Sequence, residues 1–338
     1  MISWILFHIS IILLVLLSTL SKNKIYKFIA VSLICIILIY FSAFRNESGQ
    51  DYMQYVTRLR YLTEVNLLNL IHEPLFNIIG YIVEKTRFSY LLLFLISAIV
   101  TNVGIVLFCE REKKYFPYMV LIFVLYPVLY KQSFNLVRQY FAIGLFYYSL
   151  KYIGVSLWRY LLCVTLAALM HFSAFLLIPL YWVLDRRFSK YWIVVMAIIL
   201  ILFTSSILGA VGQYERYETF VSSTQTMYLS GFTFIYNILL LVILFNNRLY
   251  KMISPIYLNL LILLVLFIDA SYINYGYYRF ACYFIPVIIY IIPYVFDKLW
   301  NREYVLFVVL ALMVFFYFNF NNSILGKGLL PISELFDK

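Results

Sequence analysis

Long apolar runs separated by short polar clusters dominate this chain. Ten of them have the length and evenness of helices that cross a bilayer: residues 2–20, 25–43, 88–109, 116–131, 136–153, 190–208, 232–247, 254–272, 279–296 and 303–320. About 20 residues at ~1.5 Å each cover a hydrocarbon core of ~30 Å. Two further runs break the scheme. The stretch 158–184 lies between Arg159 and Arg186, yet two crossings need about 40 residues. It reads either as one span or, preferably, as a broken hairpin that enters and leaves on the same side with His171 at its tip. Irregular backbone at that depth is tolerated only inside protein or along a cavity. The run 74–83 follows His72-Glu73-Pro74, where the residue before proline avoids helical angles. It is too short to span and reads as a half-helix dipping in from outside.

The two longest hydrophilic stretches, 44–73 and 209–231, become outer loops. Within the first, Tyr52, Tyr55, Val56, Leu59 and Leu62 share one helical face, the pattern of a helix lying at a membrane surface. The expected architecture is all-α: a single transmembrane domain over 1–338, with about ten helices plus broken or re-entrant half-helices.

Composition sharpens this picture. The chain is 65% apolar and 12% charged, about half the charge of an ordinary globular domain. A water-soluble fold and an attached soluble catalytic domain are therefore excluded. The cysteines (Cys35, Cys109, Cys163, Cys282) lie in or beside apolar runs without CxxC spacing and read as buried hydrophobes. The first run has its lysines behind it rather than before it, so it reads as a retained span and not a leader.

The net charge of +11 is a matter of orientation. Fifteen basic residues collect in six short segments, around Lys22/Lys24/Lys27, Arg111/Lys113/Lys114, Lys151/Arg159, Arg186/Arg187/Lys190, Arg248/Lys251 and Lys298/Arg302, with only five acids among them. The rest of the chain holds 11 basic and ten acidic residues. Such segments face the cytoplasm, which puts both termini outside and makes nucleic acid an unsuitable partner.

Ionisable groups left at the outer membrane ends are functional candidates, because each costs ~2.5–3.5 kcal/mol on insertion scales. Arg45, Arg138 and Arg279 present planar forks suited to phosphate or carboxylate; interfacial anchoring is the simpler reading of each. Asp51, with Gln54 three residues on, has capping-box spacing. Glu73 precedes a helix-opening Pro74 and would complement the helix dipole there, although glutamate caps poorly. Asp269 is either a structural partner of Arg279 or part of a ligand site. His171, with Ser173, is either a packing residue or a base. Most of the 33 tyrosines and 31 phenylalanines belong to interfacial belts and packing; Tyr52 and Tyr55 are the ones placed to meet a sugar. No HExxH, Walker, dinucleotide or Cys/His metal pattern occurs, so neither a metal nor a cofactor is expected and energy must arrive in the substrate.

The ordered series Arg45-x3-Gly49-x-Asp51-Tyr52-x2-Tyr55, Glu73-Pro74, Arg138-Gln139-x2-Ala142-x-Gly144, His171-x-Ser173 and Arg279-Phe280-x2-Tyr283-Phe284 resembles the EpsG-like family of bacterial polysaccharide polymerases. These are Wzy-type proteins of O-antigen, capsule and exopolysaccharide synthesis. Gln50 departs from the small residue expected there. The resemblance implies a GT-C-like polymerase architecture in the bacterial cytoplasmic membrane, with the site facing outward. It implies a glycosyltransferase that joins an undecaprenyl-diphosphate-linked glycan to a lipid-linked acceptor repeat. Membrane lipid and a chain-length regulator protein are the further partners implied. On that reading Arg45, Arg138 and Arg279 bind the substrate diphosphate, and Asp51, Glu73 or His171 serves as base. Tyr52, Tyr55, Gln139 and Asp269 meet the glycan. A flippase, an O-antigen ligase and a membrane acyltransferase remain alternatives from the residues alone.

Overall fold

A computed structural model describes residues 2–46, 49, 51–61, 73–86, 88–126, 128–191, 195, 231–272, 274, 276–299 and the backbone of 328–329. Most of the expected span 190–208, all of 303–320, His72 and most of the loop 209–231 lie outside the described residues. The described residues are helical, with one two-residue antiparallel ladder among them that pairs Arg45 with Leu329 and Asn46 with Gly328. Two compact units emerge: residues 1–179 with 303–338, and 180–302.

In the first unit α1 (Ile2–Leu20), α2 (Lys24–Ala43) and α5 (Ser89–Arg111) follow the apolar runs closely. Asn23 starts α2 by accepting the Ile25 N–H at 2.8 Å, a side-chain cap for an otherwise unpaired donor. Among the described residues, Lys24–Ala43 and Tyr90–Arg111 are long and apolar enough to cross a membrane; the other apolar helical stretches, Leu6–Leu20 of α1 among them, run 10–17 residues. The expected span 116–131 is cut short. α6 (Phe116–Leu125) stops because Tyr126, which precedes Pro127, turns extended at φ −77°, ψ 116°, as pre-proline sterics demand. A 3-10 turn over Lys131–Phe134 then leads into α7 (Val137–Ser149). The run 158–184 is also divided. α8 (Leu157–Met170) ends at His171, which is extended at φ −147°, ψ 110°, before a 3-10 segment Phe172–Leu177. The Tyr160 hydroxyl donates to Leu177 O at 2.6 Å, so the chain folds back on itself at His171.

α5 and α7 run in the same direction. Near their starts Ser97 Oγ donates to Val137 O at 2.9 Å; at their ends Leu107, Phe108 and Arg111 meet Tyr148 and Lys151 around a cavity of about 400 Å³. Between these points Gly104 and Gly144 touch. A Cβ on Gly144 would lie 2.6 Å from Val100 O, and one on Gly104 would lie 2.3 Å from Gly144 O. Apolar solvent gives no hydrophobic push between helices, so such close backbone approach is what makes the packing favourable. One end of this helix set therefore carries Arg111, Lys113 and Lys151, and the other, about 20 Å away along α7, carries Arg138.

In the second unit, α9 (Leu180–Val183) is followed by helices over Gly231–Phe245, Asn247–Met252 and Pro255–Ala270. Asn259 ties them to the chain after α9 by donating to Val183, Leu184 and Arg186 carbonyls at 2.7–3.2 Å. The expected span 279–296 breaks at Pro286 into Gly276–Ala281, a 3-10 turn and Ile288–Leu299, since proline removes a helix hydrogen bond.

Candidate active site

Glu73 is the centre of the polar end of the first unit. Its side chain is 3% exposed. Oε2 accepts a short hydrogen bond from Arg138 Nη1 and lies 3.9 Å from Arg58 Nη2; Oε1 is 2.8 Å from His171 Nδ1. The four side chains come from positions 58, 73, 138 and 171, carried by α3 (Tyr52–Tyr61), the start of α4 (Pro74–Glu84), the first turn of α7 and the end of α8.

The backbone at Glu73 bears on its purpose. At φ 54°, ψ 55° it is left-handed and makes no side-chain cap bond to α4; among the described residues it is the one non-glycine with positive φ. Left-handed geometry costs an L-residue roughly 1–2 kcal/mol, and the proline that follows disfavours it further. The simple reading of Glu73 as a helix-capping acid is therefore not what the structure displays. Its carboxylate is turned away from its own helix and toward two guanidinium groups and an imidazole.

The walls are aromatic. Arg138 Cζ lies 5.1 Å from the Phe76 ring and 5.9 Å from Tyr55, and Arg58 Cζ lies 4.8 Å from Phe76. Ring faces attract cations without neutralising them. Tyr52 and Tyr55 are buried, with centroids 5.3 and 6.2 Å from Phe94. They form the packed wall behind the site rather than an open platform. Gln139, 1% exposed, follows Arg138 into the core of α7.

With Nδ1 directed at the Glu73 carboxylate, the proton of a neutral His171 ring sits on Nδ1 and the lone pair on Nε2. A carboxylate partner fixes the tautomer of an imidazole in this way. The set thus combines an oriented base with cations that can meet developing negative charge.

The remaining candidates lie elsewhere. Arg45 is fully buried, its Cζ 4.1 Å from Phe94 and 5.1 Å from Phe134, and its Nη1 donates to Ser42 O at 2.6 Å. Gly49 makes the turn beyond it at φ 108°, where a Cβ would come within 2.9 Å of Phe134 O. Asp51 is half-buried at the start of α3, where its carbonyl accepts the Tyr55 N–H at 3.1 Å. Its carboxylate has no partner among the described residues. Asp269 and Arg279 belong to the second unit. Asp269 is exposed and accepts from Asn237 Nδ2 at 2.9 Å, so Asn237 and not Arg279 is its partner. Arg58 was not among the residues expected from the sequence, where it looks like the wet face of an amphipathic helix. The signal that finds it is its helical offset of three residues from Tyr55, a residue already under suspicion.

A family model described as the EpsG family matches residues 28–333. The chain belongs to the EpsG family. This is a family of polysaccharide polymerases, and membership makes the chain a bacterial membrane protein of polysaccharide biosynthesis. The matched segment contains every member of the Glu73 cluster. No curated protein and no solved structure matches the chain.

Proposed function

We propose that the protein polymerises glycan repeat units at the outer face of the cytoplasmic membrane, as a multi-pass glycosyltransferase whose donor is linked to undecaprenyl diphosphate. The single observation that carries this reading is the Glu73–His171–Arg138 cluster. Glu73 orients His171, and His171 Nε2 accepts the proton of the acceptor hydroxyl. The acceptor oxygen bonds to the anomeric carbon as the bond from that carbon to the diphosphate oxygen breaks, and the electron pair leaves with the diphosphate. Arg138 and Arg58 stabilise that departing charge, the kind of preorganised electrostatic help that lowers such barriers most. A base held in place contributes typically 10²–10⁴-fold. Glu73 itself is a poor base beside Arg138, since a neighbouring cation favours its ionised form. Asp51, half-buried at the start of α3, is a glycan-side group on this reading, and Tyr52, Tyr55 and Gln139 pack behind the cluster.

The test is deletion in the native host followed by electrophoresis of surface glycan. The expected product is carrier or lipid core bearing a single repeat. Normal long chains would refute polymerisation, and loss of the single repeat as well would point to a flippase or ligase. Complementation with His171→Asn should leave the single-repeat pattern in place.

A further inference from the structure

The end of the first unit that lies away from Glu73 holds a cavity that the chemistry at Glu73 leaves unused. It measures about 400 Å³ and is lined by Leu107, Phe108, Glu110, Arg111, Lys113, Tyr148 and Lys151. The first five come from the end of α5 and the turn after it, the last two from the end of α7 and the 3-10 turn that follows. Ligand pockets begin at about 300 Å³, so the space suits a group the size of a lipid headgroup.

Charge decides the kind of ligand. The lining holds three cations and one carboxylate, and none of the three forms an ion pair among the described residues. Cations at such a place can simply complement helix ends, and both α5 and α7 terminate here. Each C-terminus carries roughly half a negative charge, so the two ends and Glu110 offset about two cations and leave about one positive charge. Just outside the lining, Glu112 and Lys114 cancel. Lys151 lies on ring faces, its Nζ 3.6 Å from the Tyr148 centroid and 4.9 Å from that of Tyr152. Those rings pack edge to face at 6.0 Å and hold the ammonium at the cavity without consuming its charge.

The surroundings favour a lipid. Leu107 continues a partly exposed stripe on α5, with Val103 and Ile99 at successive four-residue steps, which places them on one helix face. An acyl chain can lie along such a stripe; a soluble phosphate has no use for it. Trp158 is exposed near Arg159, whose Cζ is 5.9 Å from the Tyr152 ring, and tryptophan belongs at headgroup level.

We propose that this cavity binds the phosphodiester headgroup of an anionic phospholipid of the cytoplasmic leaflet. Arg111, Lys113 and Lys151 hold the phosphate, and an acyl chain runs along Leu107, Val103 and Ile99. Basic pockets between spanning helices on that side take such headgroups. The lipid bridges the ends of α5 and α7, the pair set by Gly104 and Gly144, and takes no part in bond making at Glu73. The assignment is independent of the polymerase reading.

Native mass spectrometry of the full chain in non-ionic detergent, titrated with phosphatidylglycerol, reads the binding without turnover. A single bound equivalent is expected, with phosphatidylcholine weaker by about tenfold. Arg111→Gln and Lys151→Met should each raise Kd about fivefold, and Leu107→Trp, which fills the cavity, should raise it too. Lys24→Gln removes a cation at the same membrane side but outside the cavity, and should leave Kd unchanged. An equal loss from Lys24→Gln would reduce the effect to surface charge and overturn the site. Unchanged Kd in the three cavity variants, with melting temperatures retained, would overturn it as well. Displacement by an equal concentration of glycerol phosphate would assign the cavity to a soluble phosphate, and displacement by a polyglutamate peptide to an acidic protein segment. Either result would overturn the lipid assignment.

Discussion

Replacing Glu73 with alanine and with glycine separates two contributions that this residue combines. Both variants remove the carboxylate, so both leave Arg138 and His171 without their partner. Arg138 and His171 are 21% and 10% exposed as side chains, so water reaches them in part. The loss should fall below the ~3–5 kcal/mol typical of breaking a fully buried pair, at about 2 kcal/mol. The variants differ at the backbone. Alanine at φ 54° keeps the left-handed cost of roughly 1–2 kcal/mol, which glycine does not have. Glycine loses some of that advantage, about 0.5–1 kcal/mol, to the greater freedom of its unfolded chain. The expected order is wild type, then Glu73→Gly, then Glu73→Ala, with the last two about 1 kcal/mol apart. For a chain of this size that is roughly 2 °C in Tm. Thermal melts of the three proteins in one detergent, at one scan rate, measure the order directly. An alanine variant as stable as the glycine variant, or more so, would refute the claim that Glu73 is held in a strained backbone for the sake of its carboxylate.

Other perturbations probe different links. Gly144→Ala drives a methyl group into the backbone of α5, and should cost about 1–3 kcal/mol as overpacking does, read as a lower Tm and as reduced glycan length because α7 carries Arg138. Arg58→Gln should leave Tm nearly unchanged, since a half-exposed pair at 3.9 Å is worth about 0.2–1 kcal/mol, yet shorten the glycan chains seen on gels; full-length chains would remove Arg58 from the site. Lys131→Met should raise Tm at pH 7 in the absence of ligand. Burial holds the Lys131 ammonium below its ordinary 10.5, so the unfolded chain binds the extra proton and wild-type stability rises as pH climbs from the folded-state value toward 10.5. The Tm gap between the two proteins should therefore narrow over that range, and a constant gap would contradict it.

The helical class and the edges of α1, α2 and α5 are legible in the sequence because long apolar runs leave little freedom of interpretation. The breaks are less so. Pro127 and Pro286 sit inside apolar runs, and hydropathy does not register what a missing N–H does to a helix. The acid–base cluster was half-legible. Glu73, Arg138 and His171 stand out as polar residues in an apolar chain, but their meeting depends on α8 folding back at His171 and on the two glycines that set α7 against α5. Arg58 was hidden by ordinary amphipathicity. Trp4 was hidden for the opposite reason: an aromatic at a membrane end is what any such protein carries, and only its buried indole N–H, unpaired among the described residues, distinguishes it.

The short ladder between Arg45 and Leu329 has a bearing on biosynthesis. The strand that pairs with the backbone of Arg45 leaves the ribosome 284 residues after it. At about 5–20 residues per second, that separates the two by roughly a quarter of a minute to a minute. During that interval Arg45 and its neighbours are already in the membrane without their closing strand. A nascent chain therefore carries an open edge at Arg45 and Asn46 until residues 328–329 have emerged, and the ladder closes only after the whole intervening stretch has been made.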